Sequence, residues 1–194
     1  MIPRYNGAQA QKMTSGAALP AGGYVAQIQS AKVEEYNWGT VLILAFDVIE
    51  GEYKDHFRKQ FKENTGPNKK WKGTFRLTVP NETSKYYASE KRAFNNFIYS
   101  LEQSNSGFHF DWDETHLKGK LFGALVRNKE FLSDDNKLIR TTECGGCTDI
   151  QAIRDGSFTP LKDKLLSEDE IPAASPARSA SIDAITEDDD LPFN

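Results

Sequence analysis

The chain has 194 residues, 38% of them hydrophobic and 27% charged, and a formal net charge of −4. No apolar run reaches the roughly 18 residues of a membrane-spanning helix, and no apolar N-terminal segment precedes a small-residue cleavage site. Its two cysteines are too few for a disulfide framework, so we expect a reduced, cytoplasmic protein with no role in a membrane.

The first half of the chain predicts strands. Residues 1–18 are small and polar and predict a flexible arm. Rough alternation over residues 24–36 predicts a strand, and the Asn37-Trp38-Gly39 turn leads to an apolar second strand over residues 40–49. Residues 52–62 alternate again, which predicts a third strand with a cationic face. Residues 71–79 fit a further short strand or an irregular connection.

The second half begins with a change of period. Apolar spacings of three, four and seven predict a helix over residues 84–103. Two strands follow, over residues 117–131 and 138–147, joined by a polar hairpin loop. Residues 150–158 predict a short helix that ends at Gly156.

The order of these elements predicts the fold class. Three strands, a helix and a two-stranded hairpin describe a mainly β protein with one principal α-helix. This is the order of an OB-fold, a five-stranded Greek-key barrel with its helix between strands three and four. Other small β-barrels share a similar order. We expect the domain to span residues 19–165.

Charge is divided unevenly between this domain and the end of the chain. Residues 167–194 hold eight acids against one base, whereas residues 1–166 hold 23 cations against 20 acids. Low apolar content and high charge predict a disordered acidic tail over residues 166–194. The mildly basic domain does not exclude contact with nucleic acid.

The richest binding signal lies between residues 57 and 76, where cations alternate with aromatic residues. Single strands are held by cations along the phosphates and by aromatic rings stacked on the bases. Trp71, in a cationic loop, is expected to stack on a base, whereas Trp38 fits either a groove wall or a cap on the core. Phe57 and Phe61 fit the core better, because one face of a strand points inward. The nucleic-acid-binding candidates are Trp38, Arg58, Lys59, Lys62, Lys69, Lys70, Trp71, Lys72 and Arg76.

Cations on the last two predicted strands have two interpretations. Arg127, Lys129 and Arg140 either extend the binding groove or pair with acids on the neighbouring strand. The sequence leaves both open.

Motifs for catalysis or cofactors are weak. Cys144-Gly145-Gly146-Cys147 has the spacing of a metal or redox pair, but no second ligand pair exists, and the two glycines suggest a bulge or turn. The acids of residues 111–114 look like a cap in a loop. We therefore expect no enzyme activity, no metal and no cofactor.

The last seven residues have the form of a capture peptide. Three carboxylates precede an apolar tip that nothing in the tail buries, and Pro192 restricts the backbone and lowers the entropy cost of docking. The predicted partner-binding residues are Asp188, Asp189, Asp190, Leu191, Pro192 and Phe193. This ending resembles the acidic tip of bacterial single-stranded DNA-binding proteins (SSBs). The difference is Asn194: in that family the phenylalanine is the last residue, whereas here Asn194 follows Phe193.

A wider resemblance covers about residues 19–164. The opening Leu19–Tyr24, the block Leu44–Tyr53, the segment Glu102–Phe108, the segment Leu117–Leu121 and the segment Ile153–Phe158 are similar to those of phage-encoded, SSB-like OB-fold proteins. The resemblance implies sequence-tolerant binding of single-stranded DNA in phage DNA replication and recombination, in the cytoplasm of the bacterial host. It also implies that the tail recruits replication or recombination proteins.

A second function class stays open. An OB-like barrel also serves as a protein–protein adaptor without nucleic-acid activity, with the acidic tip as a second contact site. The sequence does not determine the oligomeric state, and a homo-oligomer stays open. If single-stranded DNA is the ligand, deleting residues 167–194 is expected to tighten binding at low salt. The reason is that a tethered acidic segment competes for the cationic groove at high effective concentration.

Overall fold

A computed structural model describes residues 18–67 and 69–171. Five strands form a closed barrel in the order β1-β2-β3-β5-β4. Neighbouring strands are antiparallel, except for β3 and β5, which meet at one parallel position, Phe75 with Cys144. The strands are β1 (Gly22–Tyr36), β2 (Gly39–Val48), β3 (Thr74–Thr78), β4 (Leu121–Leu132) and β5 (Leu138–Thr148). The predicted OB-like barrel is confirmed.

Three α-helices accompany the barrel within the described residues. They are α1 (His56–Glu63), α2 (Tyr87–Ser104) and α3 (Ile150–Arg154), and short 3-10 turns cover Glu114–Leu117 and Glu168–Glu170. The predicted helix between the third and fourth strands is α2. Of the helices in the described part of the chain, none is long and apolar enough to cross a membrane. The predicted tip, residues 188–193, lies outside the described residues.

The prediction of a third strand over residues 52–62 is wrong. That segment makes a turn and then α1, and the third strand is Thr74–Thr78 instead. The cause is a shared spacing: Tyr53, Phe57 and Phe61 lie four residues apart, which places them on one side of a strand and equally on one face of a helix. Phe57 is buried and Phe61 is partly buried, as expected for the inner face of either element.

The core lies inside the barrel and is closed at one end by α2. Alternate residues of β2 point inward, and α2 adds Phe94, Phe97 and Leu101. Phe46 and Phe122 meet edge to face at 5.5 Å between ring centroids, so aromatic rings fill the centre. The inward residues of β2 are Leu42, Leu44, Phe46 and Val48.

The glycine pair between the two cysteines forms the expected bulge. Leu125 pairs with Gly146 and Val126 with Cys144, which leaves Gly145 as the additional residue of β5. The bulge turns both cysteines toward the core. Burial raises the pKa of the Cys147 thiol to about 11 and raises that of Cys144 further. Both thiols are therefore protonated at neutral pH, which does not suit thiolate chemistry.

Candidate nucleic-acid interface

Two aromatic rings stack at the tip of the β1–β2 hairpin. The centroids of Tyr36 and Trp38 are 5.2 Å apart and their planes differ by 12°. Trp38 is 67% exposed, so it does not cap the core, and Tyr36 is 39% exposed. Rings held parallel in solvent by a short turn form a platform on which a further flat group can stack.

A guanidinium lies beside this platform. Arg76, exposed on the outer face of β3, places Nη1 3.5 Å from the Tyr36 hydroxyl oxygen. Across the sheet, Ile43 of β2 lies between Lys32 of β1 and Arg76 of β3. Ile43 is buried while both cations reach solvent. Lys32 forms an ion pair with Glu34, whose carboxylate also accepts a hydrogen bond from the Tyr36 hydroxyl, so this face combines two cations with one acid. Lys32 is not among the predicted candidates, because only strand register places it on the same face of the sheet as Arg76.

A second group of cations lies at the other end of the β2–β3 pair. The hairpin tip precedes β2 and α1 follows it, so the ten residues of β2 separate the two by about 30 Å. Residues 54–72 contain seven cations and two carboxylates. Arg58, Lys59 and Lys62 are exposed on α1, where spacings of three and four place them on one side of the helix.

A buried carboxylate fastens α1 to the barrel. Asp47, near the end of β2, is 1% exposed and accepts hydrogen bonds from the backbone N–H groups of Val48, Phe57 and Arg58 at 3.0–3.2 Å. Two of these donors belong to the first turn of α1, which otherwise lacks acceptors. Burial raises the pKa of Asp47 above its usual value, against the lowering effect of the three N–H donors. Asp47 thus caps a helix from a neighbouring strand.

The predicted cations of this group differ in the contacts that their side chains make. Arg58 forms an ion pair with Asp55 at 3.3 Å, and Lys59 donates from Nζ to the carbonyl of Lys54 at 2.8 Å. Lys69 places Nζ 4.3 Å from the centroid of the Phe61 ring. Exposed side chains are also found at Lys62, Lys70 and Lys72.

Trp71 has a different environment from the one expected. It is partly buried, and its indole N–H is shared between the carbonyls of Phe46 at 3.0 Å and Gly73 at 3.1 Å. The Phe61 ring lies 5.8 Å away. Trp71 therefore joins the cationic loop to the barrel. Its apolar neighbours are distant in sequence, which is why the local cationic context suggested an open ring.

The cations on β4 and β5 pair across the strands. Glu143 forms ion pairs with Arg127 at 2.8 Å and with Lys129 at 2.7 Å, and Glu130 forms one with Arg140 at 3.1 Å. Burial alone would raise the pKa of Glu143, but its two cations outweigh burial and hold that pKa below its usual value. Of the two interpretations that the sequence left open, cross-strand pairing is the one found.

The acidic loop before β4 acts as a cap, as predicted. Asp113 accepts from the backbone N–H of Thr115 at 2.9 Å at the start of the 3-10 turn, and Asp111 contacts His116 at 2.8 Å. Between the two acids, Trp112 is 71% exposed and stacks on Phe94 of α2. Over the described ranges, no group of three His, Cys, Asp or Glu residues is arranged to hold a metal ion.

A cleft that the sequence did not indicate lies between β3, α2 and β5. It is open to solvent and has a volume of about 400 Å³, and its lining includes Arg76, Glu90, Asn96, Gly145 and Leu161. These residues come from four separate segments, so no local pattern brings them together. Arg76 belongs both to this cleft and to the aromatic platform.

Comparison of the chain with protein-family models found no match, and a search of curated proteins found no significant relative.

Proposed function

We propose that this protein binds single-stranded DNA without strong sequence preference, along the outer face of β1, β2 and β3. The observation that carries the proposal is the exposed, stacked pair of Tyr36 and Trp38 beside the guanidinium of Arg76. Base–aromatic stacking is tolerant of sequence because every base has a π-face, and a neighbouring cation neutralises the adjacent phosphate. In OB-folds this side of the barrel is the usual place for oligonucleotides.

The cations of α1 and the following loop support the same proposal. They lie about 30 Å from the aromatic pair along β2, a distance that one extended single strand spans. Arg76 lies between the two ends and supplies positive charge along the path, and Lys32, paired with Glu34, lies two strands away on the same face. Bases would stack at the hairpin while phosphates follow the cations toward α1.

The biological setting that we propose is phage DNA replication and recombination in a bacterial host, with the acidic tip recruiting partner proteins. It rests on the resemblance of the sequence to phage SSB-like proteins and on the form of the tail. A protein–protein adaptor is the alternative, and the binding experiment below separates the two.

The decisive test is fluorescence anisotropy of a labelled oligo-dT, titrated with the full chain at two salt concentrations and with duplex DNA as competitor. We expect tight binding that weakens as salt rises and that duplex does not displace. Absence of binding at low salt, with residues 167–194 deleted as well, would refute the proposal and favour the adaptor.

Charge variants test the path along α1. For single strands, the slope of log affinity against log salt changes by about 0.7 for each phosphate contact. Replacing Lys59 and Lys62 with Gln is expected to reduce that slope by about 1.4. The matched control replaces Lys118 and Lys162, two exposed lysines outside α1, and is expected to leave the slope unchanged. Equal slopes for the two double variants would remove α1 from the interface.

A further inference from the structure

The cleft between β3, α2 and β5 has the build of a pocket for one flat, polar-edged group. Its walls include Leu77, Leu125 and Leu161, and on one side Gly145 and Gly146 present backbone without side chains. The cleft is open on one side, and its volume of about 400 Å³ is within the range of small-ligand sites. Such sites combine apolar walls with a few polar groups that fix orientation.

Glu90 supplies an unusual polar group in this cleft. Its Oε1 accepts a hydrogen bond from the Ser84 hydroxyl at 2.8 Å. Its Oε2 is buried and has no hydrogen-bond partner among the described residues. A buried acceptor without a donor is unfavourable, so a donor that entered the cleft and reached Oε2 would remove that penalty. The terminal torsion of a glutamate is soft, so the carboxylate can turn to present Oε2 to a donor in the cleft while the rotatable Ser84 hydroxyl follows Oε1.

Arg76 connects the cleft to the proposed path of the single strand. It lines the cleft and also contacts the hydroxyl of Tyr36, at the edge of the aromatic platform. A nucleotide that follows the stacked bases at the hairpin tip would have its phosphate near Arg76 and its base at the mouth of the cleft.

We propose that this cleft takes one nucleobase of the bound strand and favours a base with an exocyclic amino group. A carboxylate oxygen only accepts hydrogen bonds, and the amino group of cytosine is a donor that glutamate recognises. Uracil and thymine carry a carbonyl at that position, which would face Oε2 as a second acceptor. This inference rests on the proposed function, and it adds a modest base preference to an otherwise sequence-tolerant interface.

The test compares oligo-dC with oligo-dU of equal length, because these bases have the same size and differ in the amino and carbonyl groups. The wild-type chain is expected to bind oligo-dC at least about fivefold more tightly, the low end for one base-edge contact. Glu90→Gln keeps an oxygen for Ser84 and places an amide N–H₂ where Oε2 was. That variant is expected to lose the preference or to reverse it toward oligo-dU.

Glu82→Gln is the matched control, since Glu82 is exposed and does not line the cleft. It removes the same charge and is expected to keep the wild-type ratio, and circular dichroism checks that both variants are folded. Equal binding of the two oligonucleotides by the wild type, or an unchanged ratio in Glu90→Gln, would overturn this inference alone. Failure of the wild type to bind either oligonucleotide would overturn the proposed function and this inference with it.

Discussion

Replacing Trp38 with alanine tests the aromatic platform most directly. Because the side chain is 67% exposed and lies at a hairpin tip, its removal takes away little packing in the folded protein. If a base stacks on it, truncation costs about 1–3 kcal/mol of binding free energy, the range for single aromatic-to-alanine changes in single-strand interfaces. Tyr36 stays in place, so we expect the lower half of that range, or about 5- to 30-fold weaker binding.

The assay is anisotropy of labelled oligo-dT at fixed salt, repeated over a salt series. Trp38→Ala is expected to weaken binding by a similar factor at every salt concentration, since it removes no charge. Trp38→Phe is expected to fall between the wild type and the alanine variant. Thermal unfolding should show a Tm close to that of the wild type.

The structure offers a matched control in Trp112. It is also a strongly exposed tryptophan, 71% accessible, but it stacks on Phe94 of α2 and not on the β1–β2 hairpin. Trp112→Ala is expected to leave affinity unchanged. If Trp38→Ala binds as tightly as the wild type, or if both variants weaken binding equally, the stacking argument is refuted.

Three further predictions concern the scaffold that positions this surface, and thermal unfolding checks each of them. Asp47→Ala leaves three N–H groups without their acceptor, so we expect the free energy of unfolding to fall by about 2–4 kcal/mol. The fall is expected to be smaller in Asp47→Asn, whose amide oxygen still accepts. Equal Tm values for wild type and Asp47→Ala would contradict the capping role. In Gly73→Ala the added Cβ would lie 2.4 Å from both the Phe46 carbonyl oxygen and the Phe57 ring, so we expect the free energy of unfolding to fall by about 1–3 kcal/mol. An unchanged Tm would contradict this steric argument. Glu143→Gln is expected to lower the free energy of unfolding by about 1 kcal/mol at pH 7 and by little near pH 3. A carboxyl whose pKa is lowered by folding stabilises the protein above its unfolded pKa, and this effect is lost as pH falls through the folded pKa. An equal loss of stability at both pH values would contradict this.

Local patterns predicted most of the barrel. Alternation over residues 24–36 and the apolar run over residues 40–49 gave β1 and β2 nearly their full extent, and the change to a helical period located α2. The glycine pair before Cys147 indicated a bulge correctly. These signals are reliable here because each depends on residues close together in the chain, whose spacing alone separates a period of 2 from one of 3.6.

The sequence by itself thus determined four of the five strands, the principal helix and the position of the cationic segment. Tertiary contacts decided that this segment begins as a helix and is not a strand. Phenylalanines four residues apart satisfy a strand and a helix equally, and the helix forms where Asp47 of β2 accepts from its first N–H groups. Trp71 is held by the carbonyl of Phe46, 25 residues away, and the cleft around Glu90 joins five separate segments. These features depend on contacts between residues distant in sequence, so the local spacing of apolar residues does not predict them.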